Sequence, residues 1–127
     1  MRYLLDTHVF LWWLNKDKRL NPKIRDVIQD TKTDIFISVA SGLEMSIKRK
    51  TKKLRMNTTI KRSFEISGFQ ILDIKLEHAL QLERLPSYHG DPFDRILIAQ
   101  SKVESLIFVT VDKTLYQYNT KFLKLKN

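Results

Sequence analysis

Short apolar runs alternate with longer stretches of helical periodicity from one end of the chain to the other. Arg2–Leu5 reads as a first buried strand. Thr7–Asn15 reads as a short helix carrying Val9, Leu11, Trp12 and Leu14. Asn21 followed by Pro22 marks a helix start, because asparagine caps free amides and proline suits the first turn. Ile24, Val27 and Ile28 then recur on its inner face. Asp34–Ser38 is a second strand, and a helix follows from Ser38 or Ala40 to about Lys50, with Val39, Leu43 and Ile47 at spacings of four as its apolar stripe. Thr58–Ser67 places Ile60 and Phe64 on one face and ends at Gly68, which suits a left-handed cap. Phe69–Ile74 is a third strand. The next helix carries Leu76, Ala79, Leu80 and Glu83 and stops before Pro86.

Asp91-Pro92-Phe93-Asp94 combines an acidic cap, a first-turn proline and a second acid three residues on. The helix it opens runs to about Glu104, with Phe93, Ile96, Leu97 and Gln100 inward. Leu106–Val111 is a fourth strand, Asp112 opens a helical turn near Leu115 and Tyr116, and Phe122–Leu125 is a candidate edge strand. Strands alternating with helices in this way form a sheet covered on both faces. The expected fold is therefore α/β: a three-layer α/β/α sandwich with a mostly parallel central sheet of four or five strands.

No repeat, low-complexity tract or Pro/Gly-rich linker interrupts the 127 residues, so the expectation is a single domain over 1–127. A hydrophobic fraction of 43% excludes a disordered tail. The chain has no cysteine, which excludes disulfides, zinc–thiolate sites and thiol nucleophiles and agrees with a reducing cytoplasm. Asp6 and His8 interrupt the apolar N-terminal stretch, so neither a signal peptide nor a membrane association is expected. The formal charge of +9 changes the picture more, because such a surface attracts polyanions, nucleic acid foremost.

Against that charge stand four acids in telling places. Asp6 and Asp112 each follow an apolar strand, Glu44 lies beside Leu43 on its helix, and Asp94 is in the first turn of its helix. Carboxylates at the ends of parallel strands converge on one crevice. Crowded together, they stay ionised only when cations neutralise them. Hard oxygen donors without cysteine suit Mg²⁺ or Mn²⁺ better than zinc. Taken singly, each acid has a plainer role: Asp112 and Asp91 cap helices, and Glu44 is a solvated helix position.

The segments LLDTHVFLWWL, SVASGLEMSIKRK, LPSYHGDPFDRILIAQ and FVTVDKTLYQY together resemble the PIN-domain family, and within it the VapC-type toxins of bacterial type II toxin–antitoxin pairs. The resemblance runs from Leu4 to about Tyr118. It implies a metal-dependent endoribonuclease whose catalytic and metal-binding acids are Asp6, Glu44, Asp94 and Asp112, leaving a 5′-phosphate and a 3′-hydroxyl. Asp94 matches the third carboxylate better than Asp91, which is then a supporting acid or cap. Thr110 matches a hydroxyl position near the metal, and Thr7 is read as a cap of the first helix. The implied partners are an RNA substrate and a cognate antitoxin that inserts a segment near the crevice. Gly42-Leu43 stands where many relatives carry a bulky aromatic before the glutamate.

Lys48, Arg49, Lys50, Lys52, Lys53 and Arg55 form a basic run after the Glu44 helix, either an RNA track or a solvated helix end. Arg95 is read as an ion-pairing or phosphate-holding group. Adjacent Trp12 and Trp13 cannot share one face, so one is assigned to the core and the other to a partner surface, a homodimer or the antitoxin. His8 is read as packed beside the first helix, His78 as surface and His89 as loop. Rival readings are a PIN-type RNA-processing nuclease without an antitoxin, a non-catalytic RNA-binding module, and an aspartyl-phosphate enzyme. The last lacks the second acid it needs, because His8 occupies that place.

Overall fold

The structure is a computed structural model and describes residues 1–124. Its strands are β1 (Arg2–Leu5), β2 (Asp34–Ser38), β3 (Gln70–Leu72) and β4 (Ile107–Val109). They form one parallel sheet in the order β3-β2-β1-β4. The helices are α1 (Thr7–Leu14), α2 (Pro22–Gln29), α3 (Val39–Lys50), α4 (Ile60–Ser67), α5 (Leu76–Arg84) and α6 (Pro92–Val103), and Lys113–Gln117 is a short 3-10 turn. No helix among the described residues is long and apolar enough to cross a membrane.

Strand alternation divides the core. Tyr3, Leu5, Ile35, Ile37 and Val109 face one cluster with Phe10, Ile24, Ile28 and Met45. Leu4, Phe108 and Leu72 face the other with Leu97, Ile98 and Leu115. Helices α1, α2 and α4 therefore cover one face, and α5 and α6 the other, as the expected α/β/α sandwich requires. Helix α3 gives Met45 to the first cluster and Ala40 to the second.

The chain winds outward from β1 to β2 to β3, then returns to place β4 on the other side of β1. The order therefore reverses between β1 and β4. In open parallel sheets the ligand crevice lies at such a reversal, beyond the carboxyl ends of the strands. Asp6 follows β1 there, and Thr110 and Asp112 follow β4.

Several local expectations need correction. On α3 the buried side carries Ala40, Ser41, Glu44 and Met45, while Val39, Leu43 and Ile47 are exposed. The small residues let α3 approach the sheet rim closely; a stripe of large aliphatics would hold it away. Gly42 lies on the more open side, where a Cβ would meet the ring of Phe64 at 3.4 Å. On α5, Leu76 and Leu80 are exposed and His78 is buried. On α6 the buried positions are Leu97 to Ser101, with Phe93 and Ile96 only half-covered.

His78, expected at the surface, is buried because it is fully bonded. Its Nδ1 accepts from the Lys75 N–H at 2.9 Å, and its Nε2 lies 2.9 Å from Glu104. Conversely His8, expected in packing, is exposed on α1. Trp12 and Trp13 are both half-buried, so neither is wholly core or wholly surface. At the C-terminal side Phe122 makes a single parallel bridge to Phe108; the proposed strand's last residue, Leu125, lies outside the described residues. Gly68 does adopt the left-handed cap, at φ 67°.

Candidate active site

Asp6 is the first residue past β1 and extends the ladder, its N–H donating to Val109 O at 2.9 Å. Its extended backbone then lets the side chain turn back over α1, where Oδ1 accepts from the Val9 N–H at 2.8 Å. Asp6, and not Thr7, therefore caps this helix. Thr7 instead donates its hydroxyl to Ser41 Oγ at 2.9 Å, tying α1 to α3. Asp6 Oδ2 accepts from the Thr110 hydroxyl, and Thr110 Oγ1 in turn accepts the Asp112 N–H at 3.0 Å. One threonine thus locks the ends of β1 and β4 together. Asp6 is 3% exposed. Burial pushes its carboxyl up, the Thr110 and Val9 donors pull it down, and Glu44 adds to the upward push; the net direction is up.

Glu44 is 2% exposed on the inner side of α3. Its Oε2 accepts from Lys48 Nζ at 2.6 Å, one turn on. Its Oε1 is buried with no hydrogen-bond partner among the described residues. A buried acceptor left bare costs on the order of 1–3 kcal/mol, more when charged. Asp94 adds to the strain. Its carboxyl is pushed up to about 7, first by burial, then by the charges of Asp91, Asp6 and Glu44, with His89 partly offsetting them. Those mutual charges place Asp6, Glu44, Asp91 and Asp94 in one electrostatic neighbourhood. Lys48 sits in it too, its ammonium held charged by its bond to Glu44 and by Asp91 and Asp94.

Asp91 caps α6, accepting from the Phe93 N–H at 2.8 Å and the Asp94 N–H at 3.3 Å. Asp112 caps the 3-10 turn through the Thr114 N–H at 3.0 Å and hydroxyl at 2.6 Å. Burial pushes the Asp112 carboxyl up, but the Thr114 donors and His89 outweigh it, so Asp112 lies below the ordinary carboxylate range. It belongs to the same rim through His89, whose Nε2 is 3.7 Å from Asp94 and 3.6 Å from Asp112. One atom from each of these three residues falls within a 4.8 Å span, close enough for a shared ion.

The histidine is nevertheless a poor ligand in this state. His89 Nδ1 accepts the Asp91 N–H at 3.0 Å, so the neutral ring carries its proton on Nε2, facing the acids. That nitrogen donates and cannot bind a cation. His89 was read from the sequence only as a loop residue; nothing in the chain pattern brings it to Asp94 and Asp112. For Lys48 the sequence left an RNA track and a solvated helix end open; the structure bonds it to buried Glu44.

Of the remaining basic positions, Arg49 donates to Thr58 O at 2.9 Å and is committed to the loop after α3. Lys50, Lys52, Lys53 and Arg55 are exposed. Arg95 makes no carboxylate contact among the described residues. Its guanidinium donates to Pro86 O at 2.7 Å and to the Tyr118 hydroxyl at 3.1 Å, pinning the loop that carries His89. The expected ion pair is replaced by carbonyls because α6 turns Arg95 away from Asp94, toward the end of α5.

The all-parallel sheet with acids gathered at its order reversal defines an α/β protein with a negatively charged crevice. The PIN domain family model matches residues 3–121, and the chain belongs to that family. Two solved structures share the fold. The VapBC2 complex from Rickettsia felis, bound to a DNA fragment from its promoter, superimposes with a TM-score of 0.73 at 15% identity, covering 97% of this chain and 98% of that one. FitAcB from Neisseria gonorrhoeae gives a TM-score of 0.62 at 17% identity, with 96% of each chain covered. No curated protein matches the chain by sequence.

Proposed function

We propose that this PIN-domain protein is a divalent-metal-dependent endoribonuclease and the toxin of a toxin–antitoxin pair. The observation that carries the reading is uncompensated negative charge: a bare buried Glu44 oxygen beside an Asp94 carboxyl pushed up to about 7. Lys48 neutralises only part of it. The donor set is all hard oxygen, which fits Mg²⁺ or Mn²⁺. Asp6, Glu44, Asp94 and Asp112 would hold the ion, with Asp91 supporting the helix that presents Asp94. When bound, such an ion acidifies water and offsets charge on a phosphodiester.

The chain's own groups then have definite work. Thr110 holds Asp6 in one rotamer and fixes the distance between the two strand ends. Lys48 holds the Glu44 carboxylate in one orientation through its bond to Oε2. His89 holds a proton on Nε2 beside Asp94 and Asp112, placed to donate to an oxygen of a bound phosphodiester. The exposed Lys50, Lys52, Lys53 and Arg55 attract the RNA backbone. The apolar groove between α3, α4 and β3, a 700 Å³ cavity lined by Leu43, Phe64 and Ile71 among others, supports a protein partner, the antitoxin or a second copy of the chain.

The test is cleavage of a mixed RNA pool with and without Mg²⁺, with Asp6→Asn alongside and the ends sequenced. Cleavage should need the metal, vanish in the variant and leave 5′-phosphates. RNA binding should also weaken steeply with salt. An Asp6→Asn protein that cuts at the normal rate, or a wild type that does not cut at all, rejects the assignment.

A further inference from the structure

Two cavities flank the acidic crevice and share two residues, Trp12 and Arg19. One, of 240 Å³, is lined by Thr7, His8, Lys48 and Lys53. The other, of 430 Å³, runs past Thr110, Lys113, Tyr116 and Lys124. The first reaches the crevice through Lys48, which bonds Glu44, and the second through Thr110, which bonds Asp6. The Trp12–Arg19 ridge therefore lines both cavities that adjoin the acids.

That ridge is braced by polar contacts. The Arg19 guanidinium lies over the Trp12 ring, 4.6 Å from its centroid. Asp17 grips it from the side, with Nε and Nη2 donating at 3.1 and 2.7 Å, while the Arg19 N–H donates to the same carboxylate at 2.9 Å. The loop itself is pinned, because Asp17 N–H donates back to Trp12 O at 2.8 Å after a left-handed turn at Lys16. Yet the Arg19 side chain is 69% exposed. Nε and Nη2 are occupied by Asp17, and the group lies over the tryptophan ring. Planar guanidinium groups stack on nucleobases, and such contacts are sequence-tolerant.

We infer that Arg19, backed by Trp12, is a stacking platform for an unpaired nucleobase next to the scissile phosphate, with Lys113 and Lys124 holding the adjoining backbone. This rests on the nuclease reading for what is cut, but not for what is bound. Tyr116, with Lys124 Nζ 5.4 Å from its ring centre, gives the second cavity an aromatic–cation pair of the same kind. Arg19 is a binding residue here, not a catalytic one.

The experiment measures binding in EDTA, where nothing is cut, using a short single-stranded RNA and the matching abasic strand. Arg19→Lys keeps the charge and loses the plane; Arg19→Ala loses both. Arg19→Lys should weaken the base-bearing strand by roughly tenfold and leave the abasic strand unaffected; in Mg²⁺ the same variant should raise KM while kcat is retained. Trp12→Ala is a less clean variant, since the ring also packs on the core. If Arg19→Lys binds the base-bearing strand like wild type, or wild type fails to prefer it over the abasic one, the platform is overturned even where Mg²⁺-dependent cleavage is normal. Arg19-dependent binding by a protein that never cleaves would instead uphold the platform and reject the nuclease reading.

Discussion

Thr110 donates its hydroxyl to Asp6 across 104 positions of sequence and accepts the Asp112 N–H with the same oxygen. It joins the two strand ends between which the sheet order reverses, and it does so in a buried site. Thr110→Val keeps the shape but leaves both partners unsatisfied. We expect a loss on the order of 1–3 kcal/mol in denaturant unfolding, together with a larger fall in RNA cleavage than Thr110→Ser produces. Equal activity in the valine and serine variants would contradict the role given to this hydroxyl.

Asp94 makes the metal-free protein sensitive to pH. A carboxyl raised from 3.8 to about 7 in the folded chain holds its proton there while the unfolded chain has already released it. Stability without metal therefore falls as pH rises from about 4 to about 7, and levels off above. Asp94→Asn should remove that slope and stabilise the metal-free protein at pH 8 by on the order of 1–3 kcal/mol. Mg²⁺ should stabilise the wild type at pH 8 far more than the variant. Thermal melts across pH, with EDTA or Mg²⁺, read all of this.

Lys48 and an incoming cation compete for Glu44. The Lys48 side chain is 38% exposed, so the stability lost in Lys48→Ala is small, on the order of 1 kcal/mol after solvent screening. The pocket becomes more negative, and Mg²⁺ affinity measured by calorimetry should rise. A variant that binds the metal more weakly would show that the lysine organises the site and does not occupy it.

Arg95 supports the His89 loop from behind. Arg95→Gln loses the charge-assisted bonds to Pro86 O and the Tyr118 hydroxyl, which should cost about 1–3 kcal/mol. The salt dependence of RNA binding should not change, because this guanidinium is taken up by Pro86 O and the Tyr118 hydroxyl. A flatter salt slope in the variant would restore the phosphate-holding role suggested by the sequence.

Much of the architecture was legible in the chain because periodicity and caps are local. Asn21-Pro22, Asp91-Pro92 and Gly68 mark helix ends by their own backbone chemistry, and the apolar runs at 2–5, 34–38 and 106–111 contain the buried strands. The positions of Asp6 and Asp112 after two such runs were equally visible. Which face of α3 turned inward was not: both its stripes are helical in period, and the choice went to Ala40 and Ser41 because only small side chains fit against the sheet rim. For a related reason the chain did not show which groups His89, Lys48 and Arg95 meet. A charged side chain takes its partner from whatever the fold brings within a few ångströms, and across the 104 positions that separate Asp6 from Thr110 nothing local carries that information. Sequence thus indicated most of the elements and the candidate acids; packing at the β1–β4 reversal decided which groups they meet.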